Sequence, residues 1–491
     1  MTNQIERTSA ERATEAPNGD IIQHSIGAFG KYQLWLCLIV SASKLPIAWH
    51  QMAIIFLGPK LSYKCGDVPD QCPCDNPIYN NTIFTRTIIS EWNLICEYKT
   101  LGSFNQMLFQ AGTLVGSIIF GMASDRYGRR PPFIVAVIVQ VISGVGAAFV
   151  PLLWAFNLLR FIAGVSVGGT MVIGFVEIME FVGLKYRPTI SALYQAPFNI
   201  GHLLLPLFSY YFRDYRYFQL SISVPVIILL SYLCILPETP RWLLAVKRNE
   251  EAIKLMIHVA KINKLPTENI RRDVLAHQAL INPNSLHDGT ILDLFKTPNL
   301  RKNILAMAYQ WLSCSYCFYG VAQYISHLTG DIFINVAASA LVSLLGTLLC
   351  IPLIKTLGRK PMLIIFQSLC GFCFFVLAVI PEGIGSIICA SIGVVAAFIV
   401  FILVYLYCSE LFPTVVRSAA IGFSSMIARV GAMVAPFVIM LEGFATWLPA
   451  LVFAIVPALG VLIALFLPET KGSELMTTIE EGEAFGKKRH T

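Results

Sequence analysis

The chain has 491 residues, of which 56% are hydrophobic and only 13% are charged, and its formal net charge is +7. About a quarter of the residues of a soluble domain are charged, so this composition excludes an ordinary soluble protein and indicates a surface that faces lipid. The positive charge needs no nucleic-acid partner, because Lys and Arg concentrate in alternate loops between apolar runs.

Twelve apolar runs of about 20 residues predict twelve membrane-spanning helices in an all-α membrane protein. They start near Tyr32, Leu101, Phe133, Ala155, Thr189, Phe218, Asn303, Ile332, Met362, Gly385, Val416 and Thr446. We expect an N-terminal segment over 1–30 without a cleavable signal, a six-helix bundle over 31–236, a charged linker over 237–302, a second bundle over 303–470 and a tail over 471–491.

The predicted loop over 58–100 follows the first helix and contains Cys65, Cys72, Cys74 and Cys96. Asn80 begins an "NNT" sequon there, which requires a lumenal or extracellular face. An oxidising compartment favours disulfides over a zinc site, but four cysteines allow three pairings. The basic loops, the linker and the tail "KKRH" lie on the opposite side, so both termini are expected in the cytoplasm of a cell-membrane protein.

An internal repeat relates the two halves. Gly128 in "YGRR" and Gly358 in "LGRK" are 230 residues apart, and Glu180 and Glu410 share that offset. "LPETP" and "LPETK" are offset by 231. The repeat predicts two like-oriented six-helix halves, a transporter plan in which substrate binds at their interface near the membrane midplane.

The motif "SDRYGRRP" and its repeat "LGRKP" place basic side chains at one end of both halves, near acidic partners at other helix ends. We expect these charges to hold the halves together on that side and to separate when the site opens there. The rival interpretation is that the basic residues only set topology. The predicted gating network is Asp125, Arg126, Arg129, Arg130, Glu180, Arg187, Glu238, Arg241, Arg359, Glu410, Arg417 and Glu469.

Charged and polar residues within apolar helices are candidates for substrate binding, because a charge at mid-bilayer costs about 2.5–3.5 kcal/mol on insertion scales. Arg429 lies about halfway along the eleventh helix, and its planar guanidinium matches a carboxylate. Lys44 and His50 lie on the first helix, where His50 is also a candidate proton sensor. Asn199 and His202 lie on the fifth helix, between prolines that weaken its backbone ladder.

"SDRYGRRP" with "LGRKP" resembles the signature of the major facilitator superfamily. "FVEIMEFVGLKYRPTISALYQ", "LPETPRWLL", "DLFKTPNLRKN" and "ELFPTVVR" resemble more narrowly its organic cation, anion and carnitine transporter family. "SKLPIAWHQMAIIFL" is similar to the branch with carcinine- and β-alanine-type carriers. The resemblance implies a rocker-switch carrier with a central cavity.

The resemblance also assigns side chains to that cavity. Trp311, Phe318 and Phe175 match its aromatic positions, and Tyr194, Tyr316, Tyr319, Gln323 and Tyr405 are further candidates. Cation-selective members carry acids at the positions of Arg429 and Ser343, whereas anion and carnitine carriers resemble this chain at Arg429. That departure argues against simple cation selectivity.

The predicted function is alternating-access transport of small zwitterionic or amine-containing organic ions. Organic anions are the alternative, and a transporter-shaped receptor or scaffold is the alternative of another class. We expect no enzyme activity, cofactor or metal, because no phosphate-binding loop, ligand cluster or nucleophile–base pair stands out. The partners are the bilayer and the organic ion, with Na⁺ or H⁺ coupling left open.

Overall fold

The computed structural model describes residues 21–486 apart from 67, 70, 184, 281–289, 329, 382, 473–475 and 477. The predictions for the start of the N-terminal segment, for part of the linker and for "KKRH" therefore lie outside the described residues. Twelve helical segments of spanning size follow one another in the described part of the chain. They are α1 (Lys31–Leu57), α2 (Lys99–Tyr127), α3 (Arg130–Phe149), α4 (Leu153–Phe181), α5 (Arg187–Leu193 and Ala196–Tyr211), α6 (Tyr215–Ile235), α7 (Pro298–Tyr324), α8 (Ile332–Thr356), α9 (Arg359–Val379), α10 (Ile384–Leu411), α11 (Thr414–Ile439) and α12 (Leu448–Ala464).

Hydropathy alone identifies fewer spans than the twelve predicted. Over the described residues, nine helices are long and apolar enough to cross a membrane, and α12 is a shorter apolar helix. The other two are α5, which is broken at Tyr194, and α7, which buries Asn303, Gln310 and Ser313. Pro197 lacks the backbone N–H that would bond across the break in α5.

Close backbone contact between α2 and α4 organises the N-terminal half, here α1–α6. A Cβ atom at Gly112 would lie 2.1 Å from the carbonyl oxygen of Phe161, and one at Gly164 would lie 2.2 Å from that of Phe109. Any larger side chain would separate the helices, so glycine is needed on both sides of this contact. The C-terminal half, α7–α12, has a similar approach where Gly431 of α11 meets α7.

The loop between α1 and α2 contains a small antiparallel sheet of β1 (Tyr63–Cys65), β2 (Val68–Pro69) and β3 (Ile78–Tyr79), in the order β2-β1-β3. Lys64 pairs with Pro69 on one side and with Ile78 on the other. Two disulfides, Cys65–Cys74 and Cys72–Cys96, hold this loop. The structure thus chooses one of the three pairings that the sequence left open. We call this side of the molecule the loop end.

The opposite side, the linker end, carries the described parts of the linker and the first described helix, Ile21–Ile26. Short helices Asn249–Ile262 and Ile270–Leu280 pack beside the N-terminal helix Ile21–Ile26, and Pro240–Ala245 packs against Asn249–Ile262 and α4. The side chain of Asn263 donates to Ile26 O (2.9 Å) and accepts from the N–H of Tyr32 (3.0 Å), which fixes the start of α1. The carboxylate of Glu483 accepts from the N–H of Asn299 at 2.9 Å and so caps α7.

Candidate substrate cavity

Arg429 lies at the seam between the two halves, with a side chain that is only 3% exposed. Its Nη1 donates to the Tyr319 hydroxyl of α7 at 3.5 Å, and its Nη2 donates to Met171 Sδ of α4 at 3.3 Å. None of the ion pairs found among the described residues involves Arg429. The guanidinium therefore keeps a positive charge in the interior without a protein carboxylate beside it.

A line of aromatic rings crosses from the C-terminal half to the N-terminal half next to Arg429. The rings of Trp311 and Tyr405 have centroids 4.2 Å apart, and Phe175 follows 5.9 Å from Tyr405. Tyr194 comes next, 5.7 Å from Phe175, and Lys44 Nζ lies 4.4 Å from the centroid of the Tyr194 ring. Phe175 is one turn after Met171 on α4, so the ring line and Arg429 meet the same helix face.

A second group of rings packs where α5, α7 and α10 meet. Phe318 lies 5.0 Å from Phe398 and 6.1 Å from Phe198, measured between ring centroids. Tyr319 is 5.2 Å from Phe318, and its hydroxyl donates to Gln51 Oε1 of α1. Aromatic rings therefore surround the region of Arg429, and aromatic faces attract ammonium groups and apolar carbon alike.

The charged motif of the N-terminal half forms a compact cluster at the linker end. Arg129 Nη1 lies 2.7 Å from Asp125 Oδ1, and Arg129 Nη2 lies 2.5 Å from Glu180 Oε1. The Glu238 carboxylate accepts from the backbone N–H groups of Arg129 (2.9 Å) and Arg130 (3.1 Å). Burial raises the pKa of Glu238, although these N–H donors oppose the shift. Burial also opposes ionisation of Arg129, but its contacts with Glu180 and Asp125 outweigh that and raise its pKa.

The C-terminal half repeats this cluster. Arg359 Nη2 lies 2.8 Å from Glu410 Oε1, and Glu469 accepts from the N–H groups of Arg359 (2.8 Å) and Lys360 (3.0 Å). The hydroxyl of Thr470 donates to Glu410, just as that of Thr239 donates to Glu180. The halves thus match in their hydrogen bonds as well as in sequence.

The charged pairs of these clusters each lie within one half. Each of the pairs described above joins groups of the same half, so in this structure the pairs do not tie one half to the other. The physical reason is that the Gly–Arg turn after α2 or α8 lies directly beside the ends of the fourth and sixth helices of its own half. Other residues of the predicted network also make local contacts: Arg187 Nε donates to Val182 O, Arg417 Nε donates to Phe412 O, and Arg126 lies over the Tyr127 ring.

The two ends of the molecule differ in how the halves meet. At the loop end, Lys60 pairs with Glu442, Ser103 Oγ donates to Pro436 O at 3.2 Å, and the Phe56 and Phe333 rings stack at 5.8 Å. At the linker end, a cavity of about 400 Å³ lies between the first part of α5 and the last part of α8. It is lined by Lys185, Pro188, Thr189, Ala192, Ile351, Ile354, Arg359, Lys471 and Gly472. The structure is therefore closed at the loop end and retains space between the halves at the linker end.

Comparison with known proteins assigns the family. Residues 95–481 match the family model described as "Sugar (and other) transporter". The chain is 33% identical over 418 residues to solute carrier family 22 member 6 of Pseudopleuronectes americanus, covering 84% of this chain and 74% of that protein. This chain belongs to the organic cation and anion transporter family of the major facilitator superfamily. It is a membrane transporter of organic ions and not an enzyme.

Other relatives extend the likeness over nearly the full length. The organic cation transporter protein of Drosophila melanogaster is 29% identical, with 96% of this chain and 95% of that protein covered. Among solved structures, the inward-open xylose transporter XylE from E. coli has a TM-score of 0.67 at 21% identity, covering 92% of this chain and 99% of that chain. XylE bound to 6-bromo-6-deoxy-D-glucose gives 0.69. At this identity the structures support the fold alone, and they agree with the predicted twelve-helix architecture.

The structure of this transporter brings some predicted site residues together and gives others different neighbours. One group of predicted residues surrounds the guanidinium of Arg429: Trp311, Phe175, Tyr405 and Tyr319. Tyr194 and Lys44 extend this group into the N-terminal half, and Phe318 extends it into the C-terminal half. Asn199 Nδ2 donates to Thr347 Oγ1 of α8 at 2.9 Å, so it contacts the other half through α8.

The remaining candidates have other surroundings. Tyr316 packs on Phe453 of α12 at 5.0 Å, and His50 faces Gly144 of α3. His202 is buried in α5, and Gln323 lies near the end of α7. These four have no described contact with Arg429 and remain predictions.

Two residues that contact the predicted site, Gln51 and Met171, were not among the residues predicted from the sequence. Gln51 binds the Tyr319 hydroxyl across the seam, and its position beside His50 in an apolar helix was a usable signal. Met171 contacts Arg429 because it occupies the position, one turn before Phe175, where the family resemblance leads one to expect Trp. A shorter, flexible thioether leaves room for the guanidinium at this point.

Proposed function

We propose that this protein transports small zwitterionic or amine-containing organic ions, of the carnitine, carcinine or β-alanine type, by alternating access. The observation that carries the proposal is Arg429, a buried guanidinium at the seam that has no described carboxylate partner and lies beside a line of aromatic rings. A substrate carboxylate would take the guanidinium fork, in a geometry that favours two parallel hydrogen bonds. The substrate ammonium would lie against the rings of Trp311, Tyr405 and Phe175, with a gain of about 0.5–2 kcal/mol.

Organic anions are the second candidate, because Lys44 adds a cation at the other end of the ring line. A dicarboxylate would bind Arg429 with one carboxylate and Lys44 with the other. A zwitterion differs in that its ammonium would be repelled by Lys44 and would stay near the rings. The two candidates therefore predict different dependence on Lys44.

We further propose that the bundles 31–236 and 303–470 move as two bodies about this cavity. The linker end would face the cytoplasm of a cell membrane, and the loop end, with Asn80 glycosylated, would face outside. The two charged clusters would keep each half rigid at the linker end. Endoglycosidase treatment of intact cells tests the orientation, because Asn80 is accessible only if the loop end lies outside.

Counterflow in proteoliposomes tests the function. We expect exchange of labelled β-alanine or carnitine, no exchange of choline, and a loss of about 10–100-fold in Arg429→Gln, because a hydrogen-bonded charge contributes about 1.5–3 kcal/mol. Arg248→Gln is the matched control, since Arg248 pairs with Glu251 on the exposed linker. Lys44→Gln should reduce glutarate exchange and spare β-alanine exchange. Full exchange by a folded Arg429→Gln protein would remove Arg429 from substrate recognition.

A further inference from the structure

Buried charge inside the spanning helices is not balanced. Among the described residues of these helices, Lys44, Arg160 and Arg429 are buried cations and Glu177 is a buried acid. Arg429 and Lys44 lie beside the line of aromatic rings and have a proposed use in substrate binding. Arg160 has none, and it is the most enclosed of the three, with 0% of its surface exposed.

The guanidinium of Arg160 lies within the N-terminal half and is only partly satisfied. Nη1 donates to His50 O of α1 at 3.3 Å, and the guanidinium carbon lies 4.4 Å from the centroid of the Phe109 ring of α2. Nε and Nη2 have no hydrogen-bond partner among the described groups. A guanidinium does not lose its proton in proteins, so the positive charge persists in this apolar setting.

No acid of the same helix compensates this charge. Glu177 is 17 residues further along α4, which places it about 25 Å away along the helix axis. The ion pairs of the described residues do not include Arg160. A water molecule could accept hydrogen bonds from Nε and Nη2 but would leave the charge in place, whereas a small anion would meet both needs.

Neighbouring helices add further polar groups without partners. Gln110 follows Phe109 on α2, is fully buried, and neither atom of its amide has a described partner. Both ring nitrogens of His50 are likewise without a partner. His50 faces α3 at Gly144, whereas its neighbour Gln51 faces α7, so the His50 ring lies inside the N-terminal half.

We propose that Arg160 forms an anion site within the N-terminal half, which takes a monovalent inorganic ion of chloride size. The guanidinium Nε–H and Nη2–H groups bind the ion, and the imidazole of His50, whose carbonyl oxygen already contacts Arg160, is a nearby donor. Full enclosure excludes an organic substrate from this site. Bound chloride neutralises Arg160 and stabilises the packing of α1, α2 and α4, and this role does not depend on which organic ion is transported.

Thermal unfolding of the purified full-length protein in detergent tests the proposal. Sodium chloride is titrated against sodium gluconate at constant ionic strength, because gluconate is too large for the site. We expect chloride and bromide, but not gluconate, to raise the unfolding temperature, since a ligand that binds only the folded state stabilises it by mass action. Equal unfolding temperatures in chloride and gluconate would overturn the proposal.

Two variants place the site. Arg160→Met removes the charge, so chloride should no longer raise the unfolding temperature. In gluconate this variant should unfold at or above the wild-type temperature, because an apolar side chain replaces an uncompensated charge. Arg160→Lys should weaken the apparent chloride affinity by about tenfold, because the ammonium lacks the planar fork. Arg429→Gln is the matched control and should keep the chloride effect. Loss of the effect in Arg429→Gln with retention in Arg160→Met would assign the anion to the substrate cavity instead.

If Arg160→Met does not fold, two measurements still decide. Binding of ³⁶Cl⁻ to the wild-type protein should be displaced by bromide and not by gluconate. In Arg160→Lys, an unchanged chloride affinity would contradict the site, as would the absence of ³⁶Cl⁻ binding to the wild type.

Discussion

Replacing Gly128 by alanine should destabilise the linker end through two separable effects. Gly128 has φ 96° and ψ 172°, a backbone region that is essentially reserved for glycine. A residue with a Cβ held there costs about 1–3 kcal/mol. The new Cβ would also lie 2.7 Å from Glu238 Oε1, so the carboxylate must move away from the N–H groups of Arg129 and Arg130. Each of those hydrogen bonds to a charged group contributes about 1.5–3 kcal/mol.

The internal repeat supplies a matched control. Gly358 occupies the equivalent turn, and a Cβ there would lie 2.3 Å from Glu469 Oε2, so the carboxylate is displaced in the same way. Gly358, however, has φ −73° and ψ 164°, which any residue adopts. Gly128→Ala should therefore reduce the free energy of unfolding by about 1–3 kcal/mol more than Gly358→Ala does.

Unfolding of the detergent-solubilised protein measures this difference, and double variants separate its parts. Gly128→Ala/Glu238→Ala has no steric conflict, so its stability should be lower than that of Glu238→Ala alone by the backbone strain only. In Gly358→Ala/Glu469→Ala no strain should remain, so it should match Glu469→Ala alone. Equal losses for Gly128→Ala and Gly358→Ala would refute the strain argument, and a wild-type stability for both would refute the role given to the carboxylates.

Two further predictions concern the loop and the membrane interior. Replacing Cys72 and Cys96 by serine should reduce the free energy of unfolding by about 3 kcal/mol. This loss should exceed that of replacing Cys65 and Cys74, because the first bridge spans 24 residues and the second only 9. A larger loss for the shorter bridge, measured by unfolding without reductant, would contradict this order. Glu177→Gln should unfold at or above the wild-type temperature, because neither carboxylate oxygen of this fully buried residue has a partner in the described structure and an amide of the same shape carries no charge. A marked loss of stability in Glu177→Gln would show that the carboxylate has a partner that this conformation does not display.

The sequence predicted the helices well because a bilayer imposes long apolar runs. Most predicted starts fall within about three residues of the observed ones, as for Ile332 in α8, whereas α7 begins five residues earlier than expected, at Pro298. The sequence repeat with its offset of 230 residues also predicted the paired charged clusters, because the same residues in the same structural context form the same hydrogen bonds. Hydropathy does not identify α5 and α7 as membrane spans, because α5 is broken and α7 contains buried polar residues. In a membrane, such helices are tolerated only where they pack against protein or line a cavity.

The direction of individual side chains could not be predicted in the same way. Periodicity places Trp311 and Phe318 on one face of α7, but it does not say that Tyr316 turns toward Phe453 while Tyr319 reaches Gln51. Those contacts depend on the rotation of each helix against its neighbours, which a single sequence does not specify. That the charged motifs join the halves when the linker end closes stays a prediction, because this structure retains space between the halves there.

The distribution of contacts supports the proposal that the two halves move as two bodies. Strong charged contacts, such as Arg129 with Glu180 and Arg359 with Glu410, lie within a half and resist deformation of that half. The polar contacts between the halves near Arg429 are a few hydrogen bonds, together with ring edges: Asn199 to Thr347 and Ser343, Tyr319 to Gln51, and Arg429 to the sulfur of Met171. A single neutral hydrogen bond contributes only about 0.5–1.5 kcal/mol net, so a bound substrate can replace the few that must break. Tyr319→Phe should therefore raise the rate of exchange if opening at this seam limits it, and a decrease with unchanged substrate affinity would show that the hydroxyl acts instead in closing the cavity.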